Sequence, residues 1–507
     1  MAYAPRFLTL PADQPRLSRL ICFILGCLTT LGFAPFGFSA LIPVLLLPIL
    51  FVCVTVAPRD AGGHSFWYGF GLFLTGTYWI YISVVVFGQA PVWIALMLMV
   101  GLAVIMGFLL FIAGWLISRF TQGEPLQLLA IAPAAWVLVE WLRGWVLTGF
   151  PWMAFGYANI DTAFAAYAPI AGVYGVSFAV VLTAAAILAV IMSRGAQRWI
   201  AMGFVLAPWG FGVALGFVNW TEEAGEPIRI TILQAGVPQD QKWLAEQKQA
   251  TLDFYRDETR IARDSEIVVW PEVAVPSLLS RETAFISQLQ SDARENSQTI
   301  LFGILEDAES RGGQLIYNSV IALDGERQQA YRKRHLVPFG EYFPVPDKVR
   351  EWMRMMNLPH SDLSAGEDYP SLIETAGGQR LGVAICYEDA YSTELLYAVP
   401  DAGILINASN DGWFGDSIAT YQHLQIAQML SLEFGRPTVR STNTGISAFI
   451  SHTGELLKVG PQFAAVTMTA DVTPRTGSTP YVSLGGDAPV IGLCLVLLGF
   501  FWLRARV

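Results

Sequence analysis

Leu381-Gly-Val-Ala-Ile-Cys-Tyr-Glu-Asp389 decides how the rest of the chain is read. Small and apolar residues, two of them β-branched (Val383 and Ile385), run straight into Cys386. That pattern predicts a buried strand presenting a thiol at its C-terminal end, where open α/β sheets place their chemistry. The chain has five cysteines. Cys22, Cys27, Cys53 and Cys494 lie inside long apolar runs and read as packing residues. Cys386 alone stands in the polar part, with no disulfide partner there and no metal-type Cys/His spacing around it. Such a cysteine is inert core unless a base and a cation converge on it from other strand ends.

Two other strand ends offer them. Glu272 follows Val268-Val-Trp-Pro271, which puts a carboxylate just past a short buried strand over 267–270. Lys333 lies in Tyr331-Arg-Lys-Arg-His-Leu-Val-Pro-Phe-Gly-Glu-Tyr342, directly after a hairpin predicted from strands 319–323 and 328–331 around Asp324-Gly325. Arg332 and Arg334 would suit a solvated face, but a structured Pro-Phe-Gly-Glu-Tyr segment is odd for a mere surface. A carboxylate base, an ammonium and a thiol form a coherent acyl-transfer set: the cation lowers the thiol pKa and steadies an oxyanion, while the carboxylate shuttles the proton. Further strands are predicted at 228–233, 299–304, 379–385, 404–407, 439–441, 448–450 and 464–469. Helices are predicted at 248–264, from a cap at Ser280 through 296, and at 420–434. Strand and helix alternation makes 223–475 an α/β domain.

Around that domain the composition changes. Hydrophobic residues make up 54% of the 507 and charged ones only 14%, well below the roughly 25% of a soluble domain. The charges nearly vanish over about 17–217 and return in the α/β part. Seven apolar segments precede it, at about 17–33, 39–56, 66–87, 92–118, 128–146, 164–192 and 199–218, and an eighth follows at 489–503. Each approaches or exceeds the ~20 residues that cross a bilayer core. The expected architecture is a polytopic helical membrane bundle of about eight spans: 1–222 with seven, the α/β insert, and 476–507 with the last. Arginines cluster before the first span and after the second, fourth, sixth and eighth, so both termini should be cytoplasmic and the insert on the outer side. Glu140 and Arg143, near the end of the fifth span, are either a functional pair or a mutual ion pair. The aromatic stretch Thr148–Tyr157 reads as an interfacial anchor or a lipid entrance. The net charge of −10 and the lack of a basic run argue against a nucleic-acid partner. No P-loop or dinucleotide fingerprint is present, so no cofactor is expected, and no metal.

Trp270-Pro-Glu272, Tyr331-x-Lys333 with Leu336-Val-Pro-Phe-Gly-Glu341, and Cys386-Tyr-Glu388 together resemble the nitrilase superfamily with its Glu-Lys-Cys triad. Within it, the flanking spans and Thr148-Gly-Phe-Pro-Trp152 look like the apolipoprotein N-acyltransferases of the bacterial inner membrane. The resemblance covers essentially the whole chain and implies a four-layer αββα sandwich on the outer, periplasmic face. It also implies a two-step reaction. Cys386 takes an acyl chain from a phospholipid, chiefly the sn-1 chain of phosphatidylethanolamine, and the α-amino group of a diacylglyceryl-modified N-terminal cysteine of an apolipoprotein then discharges the thioester. Glu272 is implied as base and Lys333 as oxyanion stabiliser. Trp243, Glu341, Tyr387, Glu388 and Trp413 are implied either to position substrate or to support the triad structurally. A monomer is expected.

The apolar run Trp352-Met-Arg-Met-Met356 with Leu358 reads as a lipid-dipping patch or as core, and Asn410-Asp-Gly-Trp-Phe-Gly415 as a hinged gate. A water-poor pocket is expected, since a thioester would be lost to water in an open site. Two competing readings use the same residues. A membrane-tethered amidase would use water as second nucleophile, though eight spans exceed what tethering needs. A transporter or sensor with a dead nitrilase-like domain would require an ionisable path through the bundle, for which only Glu140 and Arg143 are available.

Overall fold

The structure is a computed structural model that describes residues 13–121, 124–310, 313–342, 348 and 363–504. The chain forms two compact units: Met1–Asn219 with Phe414–Gln425 and Ser483–Val507, and Trp220–Trp413 with Ile426–Val482.

The first unit is helical because its sequence has almost no charge to solvate. Helices α1 (Pro15–Thr29), α2 (Leu41–Thr55), α3 (Pro58–Gly76), α4 (Val92–Thr121), α5 (Leu128–Arg143), α6 (Ala168–Met192) and α7 (Ala196–Leu215) follow in order, and Ala488–Arg504 closes the chain. Every predicted apolar segment is thus helical. Among the described residues five helical stretches have the length and apolarity to cross a membrane. The pair Pro58–Gly76 and Trp79–Phe87, bent by 47°, makes a sixth, while Leu41–Thr55 and Ala488–Arg504 are apolar but shorter. The expected straight span over 66–87 is therefore broken.

Glu140 and Arg143 are buried together, 3.8 Å apart. Glu140 Oε1 accepts from Trp136 Nε1 and from the Phe155 amide, each at 3.0 Å. The Arg143 guanidinium lies 5.0 Å over the Phe73 ring and donates to the Trp152 carbonyl. This pairing corrects the interfacial-anchor expectation for Thr148–Tyr157. Trp152, Met153, Phe155 and Tyr157 are buried, and Trp152 Nε1 donates to Gln422 Oε1 at 2.7 Å. The loop turns inward because Arg143 and Glu140 need its backbone groups as partners.

The second unit is a sandwich of two sheets. The first holds β1 (Ile228–Gln234), β2 (Ile267–Val269), β3 (Val275–Leu278), β4 (Thr299–Ser310), β5 (Gly313–Leu323) and β6 (Gln328–Arg332). The second holds β7 (Ile373–Glu374), β8 (Arg380–Ile385), β9 (Ile404–Ser409), β10 (Thr438–Thr442), β11 (Ala448–Ile450) and β12 (Leu456–Val459); β13 (Val466–Val472) returns to the first. The spatial orders are β13-β1-β2-β4-β5-β6, with β3 beside β4, and β12-β11-β10-β9-β8-β7. The central strands of both run parallel, β1 with β2 and β4, β8 with β9 and β10.

Alternation along the strands sorts the layers. Ile228, Ile230, Ile232, Val269 and Leu301 meet Leu381, Val383, Ile385, Ile404 and Ile406 in one core between the sheets. The residues between them, Leu233, Val268, Ile300 and Phe302, face the outer side with Leu252, Tyr255 and Leu289 of helices α8 (Ala245–Ile261) and α9 (Thr283–Asn296). On the second sheet Ala384 and Leu405 face Leu430 and Phe434 of α10 (Ala419–Phe434). The result is the expected αββα order.

Two local readings are corrected. The predicted hairpin of β5 and β6 pairs from Ser319↔Arg332 to Leu323↔Gln328, but β4 and β5 are about twice as long as predicted and pair from Ile300↔Leu323 out to Ser310↔Gly313; Glu306, Asp307 and Glu309 hide the extension by breaking the apolar run. Ser280 is not a helix cap. It lies in the turn Leu279–Arg281, its hydroxyl donates to Asp307 at 2.7 Å, and α9 begins at Thr283. The Met-rich patch at Trp352–Met356 and Leu358 lies outside the described residues.

Candidate active site

Each of the three expected residues is delivered by a strand end. Trp270 is fully buried, stacked on Tyr255 with centroids 4.7 Å apart, and its Nε1 donates to Thr259 at 3.1 Å. That anchors the sharp turn Pro271-Glu272-Val273, where Val273 takes a φ of +45°. The turn needs glycine opposite it: a Cβ on Gly303 would sit 2.3 Å from the Val273 amide nitrogen. Lys333 leaves β6 with its amide donating to the Asn318 carbonyl at 2.8 Å. Cys386 ends β8 and opens a 3₁₀ turn, Cys386–Ala390, with φ of +53°. A non-glycine residue there costs about 1–3 kcal/mol. Val383 and Ile385, buried just before it, each contribute about 1.5–3 kcal/mol, enough to hold the strained turn in place.

The strand ends bring charge together. Lys333 is 1% exposed, with Nζ 2.9 Å from the Glu341 carboxylate and 3.5 Å from Glu272 Oε1. Asn318, buried in β5, donates one amide group to Glu272 Oε1 at 2.7 Å and to Glu341 Oε1 at 2.9 Å. Glu341 also accepts from the Val337 amide at 2.8 Å. Burial works against the Lys333 ammonium, but Glu341 and Glu272 overcome it and raise its pKa, so it stays charged. Burial raises the Cys386 pKa and the Glu272 charge raises it further, while Lys333 pulls it down. The balance keeps a neutral thiol at rest. Lys333 lowers the thiol pKa without overcoming the two raising effects, which makes proton transfer part of any reaction at sulfur.

A family model for the apolipoprotein N-acyltransferase N-terminal domain matches residues 25–186, and one for carbon-nitrogen hydrolases matches 229–481. An apolipoprotein N-acyltransferase of Methylococcus capsulatus is 37% identical over 95% of this chain and 95% of its own length. That of Azotobacter vinelandii is 38% identical over 96% and 95%. The chain belongs to the apolipoprotein N-acyltransferase family. Among solved structures, a carbon-nitrogen hydrolase from Helicobacter pylori is similar at 15% identity and a TM-score of 0.37, over 48% of this chain and 89% of that one.

Within this N-acyltransferase, Glu388 ties two of the strand ends together. Its carboxylate accepts from the Ile385 amide (2.6 Å), the Arg334 amide (2.7 Å), the His335 amide (3.1 Å) and Tyr331 Oη (2.9 Å). Burial raises its pKa and those backbone donors draw it back. Four donors and no acceptor around it suit a carboxylate. Glu388 therefore fixes the distance between the Lys333 segment and the Cys386 turn. Tyr387 is buried and receives a hydrogen bond from Tyr391 Oη at 3.2 Å. Trp243 and Trp413 are 54% and 44% exposed, unlike the buried Glu272 and Lys333.

Sequence reasoning missed a second layer beneath the thiol. A hydrogen bond between Cys386 and Ser409 lowers the Cys386 pKa, and the Ser409 hydroxyl donates its proton to Asp411 at 3.0 Å. Asp411 and Asp389 both pair with Arg440, at 2.9 and 3.1 Å, all three side chains being fully buried. Arg440 also donates to Asn407 at 2.6 Å, and Asn407 to the Cys386 carbonyl at 3.3 Å. The signal was an arginine inside the short predicted strand 439–441, which needs partners when buried. Removing it by Arg440→Ala leaves two buried carboxylates uncompensated and is expected to cost about 3–5 kcal/mol. Denaturant unfolding checks it; a loss below 1 kcal/mol would mean the triad is not buried as described.

Lys242 was also missed, beside the more conspicuous Trp243. It is 3% exposed, and its Nζ donates to the Glu272 backbone carbonyl at 3.1 Å. Burial brings its pKa down to about 8, against the upward pull of Glu272 and Cys386.

Proposed function

We propose that the chain moves a fatty acyl chain from a membrane phospholipid, chiefly the sn-1 chain of phosphatidylethanolamine, to the α-amino group of the S-diacylglyceryl-cysteine that begins an apolipoprotein. This N-acylation is the last step of lipoprotein maturation. The observation that carries the reading is the buried Glu272–Lys333–Glu341 cluster acting on the Cys386 thiol, in a chain whose full-length relatives are named for the acyl transfer.

Glu272 takes the thiol proton as Cys386 Sγ attacks the ester carbonyl. Lys333 faces the oxyanion that forms. The intermediate collapses with cleavage of the C–O bond, the lysophospholipid leaves with the proton held by Glu272, and a thioester remains on Cys386. The substrate amine attacks that thioester and passes a proton to Glu272. The C–S bond breaks, sulfur recovers the proton, and an amide is released. Glu341 and Glu388 hold the Lys333 segment, and Tyr387, Trp243 and Trp413 are the side chains offered to substrate.

The arginine distribution supports cytoplasmic termini, a catalytic part (223–475) on the periplasmic side of a bacterial inner membrane, and flanking spans in 1–222 and 476–507. A monomer meets the requirements of this chemistry, because all the groups named come from one chain. The test is to supply phosphatidylethanolamine labelled in its sn-1 chain together with a diacylglyceryl-cysteine peptide. Label recovered as an amide on the peptide supports transfer; label released only as fatty acid makes the protein a hydrolase.

A further inference from the structure

Two lysines are buried at this site, and their partners differ in kind. Lys333 is committed: both oxygens of Glu341 and one of Glu272 surround its Nζ, and an ammonium has three N–H bonds. Lys242 Nζ has one acceptor among the described residues, the neutral Glu272 carbonyl at 3.1 Å. Two of its N–H bonds therefore meet no acceptor among the described residues, although the side chain is shut away from water. A desolvated cation without a counter-ion is costly unless an anion joins it.

The loop that carries Lys242 is fixed to the strand ends of the second sheet. Asn443, just past β10, donates to the Val237 carbonyl at 2.8 Å and accepts from the Val237 amide at 3.2 Å. Gly236 donates to the Asn443 carbonyl at 3.1 Å. Asn410, just past β9, donates to Gln239 Oε1 at 2.9 Å. These contacts hold Lys242 against the turn that carries Glu272, the base for the Cys386 thiol.

We infer that Lys242 is a further catalytic residue, which donates an N–H to the oxyanion formed when Cys386 attacks the acyl carbonyl. The inference rests on the acyl-transfer reading above. The oxyanion is the one anion the reaction itself creates next to sulfur, and a pre-placed ammonium with unused donors stabilises it without reorganisation. Lys333 then serves first to hold Glu272 and Glu341 together, and contributes to the oxyanion mainly through its charge.

The test compares full-length wild type, Lys242→Met and Lys242→Arg in three measurements: single-turnover acylation by phosphatidylethanolamine, KM for that lipid, and alkylation of Cys386 by iodoacetamide. Alkylation displaces iodide at a saturated carbon and forms no oxyanion, so it reports only the ionisation and accessibility of the thiol. Lys242→Met is expected to acylate about 10²–10³-fold more slowly, with KM and alkylation each within about fivefold of wild type. Lys242→Arg, which restores charge and N–H donors, should recover part of the loss. If Lys242→Met acylates within threefold of wild type, the inference is wrong. It is also wrong if alkylation falls in parallel with acylation, because Lys242 would then act on the thiol itself and not on the oxyanion. A wild type that forms no acyl-enzyme at all would overturn the acyl-transfer reading instead.

Discussion

Lys333→Met is expected to lower acyl transfer by at least 10³-fold and to destabilise the sandwich by about 3–5 kcal/mol. The substitution keeps much of the side-chain volume and removes the charge together with the hydrogen bond to Glu341. What remains is Glu272 and Glu341 linked through a single Asn318 amide, with no cation between the two carboxylates, and Lys242 at the Glu272 backbone carbonyl. Repulsion, not a cavity, drives the loss. Glu341→Gln added to Lys333→Met should therefore recover much of the stability and none of the activity. Chemical denaturation of the single and double variants checks this. A single variant as stable as wild type would show that the ion cluster is more hydrated than its burial indicates.

Glu272→Gln should split two properties that usually fall together. The Gln side chain is close in size and can keep the bond from Asn318, but it cannot accept the thiol proton, so transfer is expected to fall about 10²–10⁴-fold. The Glu272 charge is also one of the forces holding the Cys386 pKa up. Without it Lys333 acts on sulfur with less opposition, and a larger fraction of Cys386 is thiolate at neutral pH. Iodoacetamide should then alkylate the variant faster than wild type while acyl transfer collapses. The pH midpoint of alkylation, followed by mass spectrometry, should move toward lower pH. A midpoint that moves up or stays in place would remove Glu272 from the electrostatic surroundings of the thiol.

The residues legible from the sequence were those at the ends of short apolar strands. Val268-Val-Trp-Pro271 and Val383-Ala-Ile385 bury themselves, so whatever polar residue follows must emerge at a sheet edge. That places Glu272 and Cys386 without any tertiary information. Lys333 and Glu341 could be paired only through the turn between them. Asn318 was hidden because it lies just before the predicted strand 319–323, where β5 pairs with the part of β4 that Glu306, Asp307 and Glu309 break up. Near Trp243 the larger residue drew the reading, yet the tryptophan is exposed and the neighbouring Lys242 buried. Which member of such a pair turns inward depends on the Glu272 carbonyl, more than 25 residues away, and local pattern contains no record of it. The aromatic loop at Thr148–Tyr157 failed for the same reason: its inward turn answers the needs of Glu140 and Arg143.

The central claim is that an acyl chain passes through Cys386. Intact-protein mass spectrometry of the purified enzyme after exposure to phosphatidylethanolamine, beside Cys386→Ala, tests it most directly. The account predicts an acyl-sized adduct on the wild type alone, labile to hydroxylamine and discharged by a diacylglyceryl-cysteine peptide. Protein that is active in transfer but shows no adduct under rapid quench, or an adduct that persists in Cys386→Ala, would contradict it.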